Sequence, residues 1–324
     1  MRLGRSELQV SPIAFGTWQL GGEWGEFDEQ RAIDAIRHAR GIGIDFFDTA
    51  QAYGFGASER LLGQALEDEL REAREEVVIA TKGGLRPADG GVDRDSSPEW
   101  LRQGVEESLD ALGVEWIDLY QVHWPDPDTP LSETAAALAE LRDGGKIRHV
   151  GVSNFSVEQL EELSKALPVE TVQPPFHLFA RDIENDVLPW CMENDVGVLA
   201  YSPLAHGLLT GAIDEDTMFA DDDWRSQSPL FAGDALRQNV KVVHELTEVA
   251  EQIGCTLGQL AIAWVLSHPA VHVAIVGSRS PGHIEEAVGA LDVELGEREL
   301  QWIETIMQGA VGEPGPSPEM NRQT

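Results

Sequence analysis

The sequence predicts an α/β fold, a single (β/α)8 TIM barrel with an N-terminal hairpin cap and an extra C-terminal helix. Three observations predict it: short β-rich runs alternate with longer amphipathic stretches, eight such runs fit within a chain of 324 residues, and nothing in the alternation marks a domain boundary. The strand runs are residues 14–16, 45–48, 77–82, 117–122, 149–152, 171–173, 198–201 and 272–276. Between them lie stretches with apolar residues three and four apart, among them DEQRAIDAIRHAR, ASERLLGQALEDEL, SPEWLRQGVEESLDALG and SETAAALAELRDGG. Ser97-Pro98-Glu99 places proline at a helix start, and Gly144-Gly145 ends the next helix.

The remaining pieces follow in chain order. The opening LGRSELQVSP reads as a small hairpin closing the barrel floor. Gly54-Phe55-Gly56 lacks the third glycine of a dinucleotide-binding fingerprint and reads as a turn. Residues 205–239, rich in Asp, Gly and Ser, form a long loop before a helix from Asn239, and a loop of that length on a barrel reads as a lid. A terminal helix follows Glu297. The expected division is one barrel domain over residues 1–310 and a Pro/Gly tail over 311–324.

Fifty-seven acidic residues stand against 23 Lys and Arg, a formal charge of −34, and only four bases are lysines: Lys82, Lys146, Lys165 and Lys241. A surface this acidic repels nucleic acid and anionic membranes. The acids are spread over helices such as EDELREAREE, a pattern that fits adaptation to high salt, where self-repulsion is screened. No apolar run approaches the ~20 residues of a membrane helix, and the first residues lack the apolar core of a signal peptide, so a cytoplasmic protein is expected. Cys191 and Cys255 show no disulfide or metal spacing and read as small core residues. His268 and His272 are separated by Pro269 with no Glu after the first, which is not a zinc helix, and no metal is expected. Asp221-Asp222-Asp223 reads as a solvated loop.

In such a barrel, chemistry sits at the C-terminal ends of the strands. Asp48 ends the second strand run, Tyr53 follows in the loop after it, Lys82 ends the third and His123 the fourth. Each closes an apolar run where packing alone asks for no charge. A tyrosine has an ordinary pKa of about 10, and a nearby ammonium stabilises its phenolate and lowers that value. Asp48 fixes Lys82, and His123 hydrogen-bonds a substrate oxygen. The set polarises a carbonyl and hands it a proton. It lacks a reductant, and a nicotinamide cofactor is the natural source of hydride. Singly, an Asp–Lys pair or a strand-end histidine is as readily structural; the four on one rim point to catalysis.

From about Leu3 to Glu297 the chain resembles the aldo-keto reductase family. The resemblance is carried, in the family's order, by AFGTW, DFFDTAQAYGFGASERLLG, VVIATKGG, YQVHWPD, GKIRHVGVSNF, TVQPPFHLF, VLAYSPLAHGLLTG and AIVGSRSPGHIEEAV. It implies that Tyr53 is the general acid, that Lys82 and Asp48 tune it, and that His123 orients the carbonyl. It further implies that Ser153, Asn154 and Gln173 hold a nicotinamide amide and that Tyr201 stacks beneath the ring. Ser202, Leu204 and Leu209 match its pyrophosphate loop, and Gly277, Ser278 and Arg279 its adenosine-phosphate segment. Ser280-Pro281 reads as an N-cap and first helical turn beside that phosphate. Arg279 argues for a 2′-phosphate and so for NADPH, with NADH also possible. Glu286 is kept at the adenine end. The chain departs from the pattern at Val276, where proline is usual, and at His283 and Ala287, where glutamine and asparagine are usual.

Trp18 and Trp124 directly follow strand runs and are the expected substrate-pocket walls, with Leu85 beside them. Trp24, Phe155, Phe176 and Trp224 are further aromatic residues near the expected mouth, some of them core. A mouth of this kind accepts an aldehyde or ketone with an apolar or sugar-like body. The expected partner is therefore a small carbonyl compound, with neither nucleic acid, membrane nor protein partner. Two other functions share the fold: a redox-sensing cofactor-binding subunit, and oxidation of an alcohol or sugar by the reverse reaction.

Overall fold

The computed structural model describes residues 1–312 apart from positions 23, 26, 89, 90, 221 and 222. Ten strands and eleven α-helices occur among them: β1 (Ile13–Gly16), α1 (Glu29–Gly41), β2 (Phe46–Asp48), α2 (Ala57–Ala65), α3 (Glu67–Glu72), β3 (Val78–Gly83), β4 (Leu85–Ala88), β5 (Gly91–Arg94), α4 (Pro98–Leu112), β6 (Ile117–Val122), α5 (Leu131–Asp143), β7 (Ile147–Ser153), α6 (Val157–Ser164), β8 (Thr171–Gln173), α7 (Val187–Glu193), β9 (Gly197–Tyr201), α8 (Gly233–Ile253), α9 (Leu257–Ser267), β10 (Val273–Gly277), α10 (Pro281–Val288) and α11 (Glu297–Met307). Eight strands close a parallel barrel in the order β1-β10-β9-β8-β7-β6-β3-β2, and β1 pairs with β2 to complete it. Helices cover the outside, so these strands are buried on both faces and read as continuous apolar runs.

The core has two layers. Ala14, Phe46, Val78, Ala80, Leu119, Leu199, Val273 and Ile275 fill the barrel interior, and Leu3 and Val10 join them from below. The N-terminal segment is thus the floor: Arg2 and Gln9 make an antiparallel bridge, and Leu3 is fully buried. Gly4 and Gly197 permit this closure, since a Cβ at Gly4 would meet the Gly197 nitrogen at 2.2 Å and one at Gly197 would meet Leu3 at 2.7 Å. The second layer joins strands to helices through residues such as Ile36, Phe47, Ile79, Leu138 and Leu260.

The expected strands agree with the observed ones to within two residues at either end. Ser97 caps α4 by accepting from the Trp100 N–H, with Pro98 in its first turn, and Gly144 caps α5. Three parts differ. Residues 205–239 are not one loop before a helix from Asn239: short 3-10 turns at Ala205–Thr210, Trp224–Gln227 and Pro229–Phe231 break it, and α8 starts at Gly233. Gly233-Asp234 hid that start because both residues read as loop, though an acid in the first turn favours the helix dipole. The β4–β5 hairpin was not expected, because RPADGGVDRD is all turn and charge; its strands pair from Leu85↔Arg94 to Ala88↔Gly91. Ser280 precedes α10, but its side chain does not cap that helix; its hydroxyl accepts from Arg31 instead. Of the tail, residues 313–324 lie outside the described residues, as do Asp221 and Asp222, whereas Asp223 pairs with Arg225 at 2.6 Å.

Candidate active site

Strand periodicity sets what reaches the rim. Side chains alternate between the two faces of a strand. Phe46 faces the barrel interior, so Asp48, two residues on, does too. Val78 and Ala80 place Lys82 inward by the same count, and Leu119 places Gln121 and then His123 inward. On the far wall Leu199 leads to Tyr201. The interior is thus apolar in its lower layers and polar in its top layer.

Lys82 is the centre of that layer and is 1% exposed. Its Nζ donates to Asp48 Oδ1 at 2.6 Å, to the Thr49 carbonyl at 2.9 Å and to the Tyr53 hydroxyl at 3.3 Å. An ammonium has three protons, and here three acceptors use them. Asp48 Oδ2 accepts from Gln173 Nε2 at 2.8 Å and from Gln121 Nε2 at 3.4 Å. Tyr53 is brought over Lys82 by the turn that follows β2, where Gly54, Phe55 and Gly56 all have positive φ. The sequence Lys82-Gly83 is also steric: a Cβ at Gly83 would lie 1.8 Å from the Tyr120 hydroxyl packed behind the strand.

His123 is buried with its ring edge-on to Tyr53, centroids 5.7 Å apart. Burial first, and then the charge of Lys82, hold its pKa well below the usual histidine value, so the imidazole is neutral. The four predicted residues therefore meet on one rim.

The predicted cofactor side is contiguous with it. Asn154, held at φ +64°, donates to the His123 carbonyl at 3.1 Å and to Ser153 Oγ at 3.0 Å, and it accepts from the Tyr201 hydroxyl at 2.9 Å. Ser153 Oγ donates to the Gln173 carbonyl. The Tyr201 ring is thereby fixed at the top of β9, half-buried. The next turn carries Ser202, Ala205, His206 and Gly207 at positive φ, with Leu204 half-buried among them. Leu209 lies in the core and its N–H donates to the Leu204 carbonyl, so its side chain shapes the turn from beneath. Gly277 is exposed at the end of β10, Ser278 folds its hydroxyl back onto the Ser280 carbonyl, and Arg279 follows half-buried. His283 and Glu286 are exposed on α10, and Ala287 is buried against its neighbours. An anchored aromatic ring, a pair of side-chain amide and hydroxyl groups, a run of left-handed backbone and a guanidinium make a donor set that fits a dinucleotide.

The mouth is aromatic. Trp18 lies 6.5 Å from the Tyr53 ring and stacks on Trp224 at 5.6 Å, while Leu85 and Trp124 pack together beside Ala52 and Val92. Phe176 is not at the mouth; it is fully buried against Trp264.

Sequence reasoning missed several supporting groups. Gln121 reads as one polar residue inside a strand, yet it reaches Asp48. Ser58, the second residue of α2, donates to Thr17 Oγ1 at 2.7 Å and lies 3.2 Å from Thr49 Oγ1, tying the ends of β1 and β2 together. Glu59 is fully buried and accepts from Thr81 Oγ1 at 2.6 Å, next to Lys82 in sequence. Nothing in ASERLL distinguishes these two from a solvated helix start. Among the described residues no group of three or more His, Cys, Asp or Glu is placed to hold a metal ion, and no single helix is long and apolar enough to cross a membrane.

This is a closed parallel barrel whose rim carries an acid–ammonium–phenol–imidazole set beside a dinucleotide-like cradle, the layout of a barrel oxidoreductase. A model of the aldo/keto reductase family matches residues 12–308, and the chain belongs to that family. It is 39% identical over 309 residues to aldo-keto reductase YhdN of Bacillus subtilis, covering 95% of this chain and 93% of that one. It is 33% identical to an NADH-specific methylglyoxal reductase of Escherichia coli, covering 91% of this chain and 94% of that one. The solved structure of glycerol dehydrogenase AKR11B4 from Gluconobacter oxydans superposes with a TM-score of 0.88 at 38% identity, covering 97% and 96% of the two chains. The protein is an oxidoreductase acting at carbonyl and alcohol groups.

Proposed function

We propose that the protein reduces aldehydes or ketones to alcohols with NADPH, reversibly, with Tyr53 as the general acid. The observation that carries the reading is the single ammonium of Lys82 in contact with both Asp48 Oδ1 and the Tyr53 hydroxyl. When bound, the reduced nicotinamide supplies the hydride. The chain's own residues do the rest. His123, neutral, hydrogen-bonds the carbonyl oxygen and orients it toward Tyr53. As negative charge grows on that oxygen, the Tyr53 hydroxyl gives up its proton, and Lys82 stabilises the phenolate left behind. Asp48 holds Lys82 in place, while Gln173 and Gln121 hold Asp48. Solvent returns the proton to Tyr53. In the reverse direction Tyr53 is the base, and the cofactor ratio decides which alcohol or carbonyl accumulates.

Ser153, Asn154 and Gln173 are assigned to the nicotinamide amide, Tyr201 to the ring, and the Ser202–Leu204 turn to the pyrophosphate. Arg279 is assigned to the 2′-phosphate, which selects NADPH over NADH. His283 and Glu286 border the adenine end. Trp18, Trp124 and Leu85 favour a substrate with an apolar body. Oxidation of NADPH and of NADH should be followed against aldehydes, ketones and aldoses in molar KCl. Turnover with NADPH that vanishes in Tyr53→Phe supports the reading, and no turnover on any carbonyl overturns it.

A further inference from the structure

Arg279 is tied to the substrate mouth as well as to the cofactor end. Its Nε and Nη2 both donate to the Gln19 carbonyl, at 3.1 and 2.8 Å, and Nη2 also reaches the Gly25 carbonyl at 3.4 Å. The guanidinium lies over the Phe27 ring, 5.1 Å from its centroid. One edge of a five-donor fork is thus spent on the β1–α1 connection, and Nη1 is not used in these bonds. No carboxylate among the described residues forms an ion pair with Arg279.

Gln19 and Gly25 each directly follow a tryptophan of the mouth. Trp18 and Trp24 meet edge-to-face at 5.0 Å. Trp18 stacks on Trp224 at 5.6 Å and Trp24 meets it edge-on at 5.5 Å. Arg225 adds its guanidinium over Trp24 at 5.1 Å. Trp224 and Arg225 belong to the β9–α8 connection, which also carries His206 edge-on to Trp224 at 4.7 Å. An unbroken series of contacts therefore runs from Arg279 through two backbone carbonyls to three indoles, one of them beside Tyr53. Gly22 and Gly25 have positive φ, a conformation that glycine adopts without the cost a side chain would bring.

We propose that Arg279 is a positioning residue for the carbonyl substrate: by gripping Gln19 and Gly25 it holds Trp18 and Trp24 against Trp224 whichever nicotinamide dinucleotide is bound, while its free edge takes the 2′-phosphate. The second half rests on the phosphate assignment under Proposed function; the first does not.

The two roles separate with NADH, which has no 2′-phosphate. At saturating NADH, Arg279→Ala is expected to raise KM for the carbonyl roughly five- to tenfold, the size of one or two net hydrogen bonds, with kcat within about twofold. In the protein without cofactor, the same variant is expected to make tryptophan fluorescence more quenchable by acrylamide. That increase should vanish in a Trp18→Phe, Trp24→Phe background. Arg279→Lys keeps a charge for the phosphate but not the two-pronged grip on the carbonyls. It should bind NADPH better than the alanine variant while keeping most of the KM defect, and it replaces that variant if a thermal melt shows the latter unfolded. An unchanged KM with NADH together with unchanged quenching overturns the positioning role, however much NADPH binding falls. Raised KM and raised quenching with NADPH affinity intact would support that role and remove the 2′-phosphate assignment instead.

Discussion

The side-chain amide of Gln173 donates to Asp48 Oδ2 at 2.8 Å, although the two residues are 125 positions apart. They stand on β8 and β2, which face each other across the barrel in the strand order. The Asp48 carboxylate is thus held from one side by Lys82 and from the opposite wall by Gln173, with Gln121 between them. All are buried, and this sets the cost of disturbing them. Asp48→Asn leaves the Lys82 ammonium in the interior without its countercharge and should destabilise the fold by about 3–5 kcal/mol. Gln173→Leu deprives Asp48 of its shorter amide donor and should cost about 1–3 kcal/mol. Urea unfolding measures both; equal, small losses would mean that the carboxylate is not held as a charged group.

Tyr53→Phe removes the hydroxyl that meets Lys82 and leaves the ring against His123 and Trp18. Packing survives, so the melting temperature should change little. The predicted loss is in kcat, by roughly 10²-fold or more, the usual size of a general-acid contribution. Cofactor affinity, measured by fluorescence titration, should be retained. A kcat within a few-fold of the parent would take Tyr53 out of its role.

His123 titrates in the unfolded chain near pH 6.5, but burial and then Lys82 keep it neutral well below that in the folded protein. The folded state therefore binds fewer protons than the unfolded one as pH falls, and stability should drop on the acid side, starting near that unfolded value. The reaction itself should show no ionisation of His123 there: kcat for carbonyl reduction should not lose activity around pH 6.5. An acid limb at that pH which disappears in His123→Asn would show that the imidazole takes up a proton there and is not held neutral.

Glu59 titrates in the opposite sense. Burial pushes its carboxyl above the usual range, against the hydrogen bond from Thr81 and the charges of Arg60 and Lys82. Its folded pKa exceeds the unfolded one, so the stability it contributes is fully present below about pH 4.3 and is lost as pH rises through the folded value. Glu59→Gln keeps an acceptor for Thr81 and cannot ionise. The variant should therefore gain on the parent in melting temperature as pH is raised from about 4 toward neutrality. A difference between the two that does not change with pH would refute the buried ionisation.

Why the barrel was legible in the sequence and part of the site was not has a physical reason. Parallel strands covered on both faces are written as apolar runs, and Lys82 and His123 are conspicuous because each interrupts one. Gln121 and Gln173 interrupt such runs too, but an uncharged amide carries less of a signal, and which groups it bonds depends on register across the barrel. Ser58 and Glu59 open a helix, where serine and glutamate are ordinary, and their burial comes from β1, β3 and α4 closing over them. Arg279 reads as a phosphate ligand because it stands in a family motif. Its grip on Gln19 and Gly25 depends on how the β1–α1 connection folds back, which no periodicity encodes. The β4–β5 hairpin pairs strands too short and too polar to alternate.

The chain carries a formal charge of −34. Many of the arginines are already spent on acids: Arg71 sits among Glu67, Asp68 and Glu72, Arg102 pairs with Glu140, Arg148 with Glu75 and Arg181 with Glu184 and Glu304. The exposed ones among these pairs contribute little each, about 0–1 kcal/mol, and more acids remain than bases to meet them. At low salt the excess repels itself over distances comparable with the molecule, and this favours expansion. At 1 M salt the Debye length falls to about 3 Å, which removes most of the repulsion while weakening the surface pairs as well. The excess of acids decides the balance, so the melting temperature should rise as KCl is taken from millimolar to molar. NaCl should act similarly, because screening depends on ionic strength and not on the cation. A melting temperature that fell steadily with KCl would mean that the surface pairs outweigh the repulsion and that the acidic surface serves something other than a salt-rich solvent.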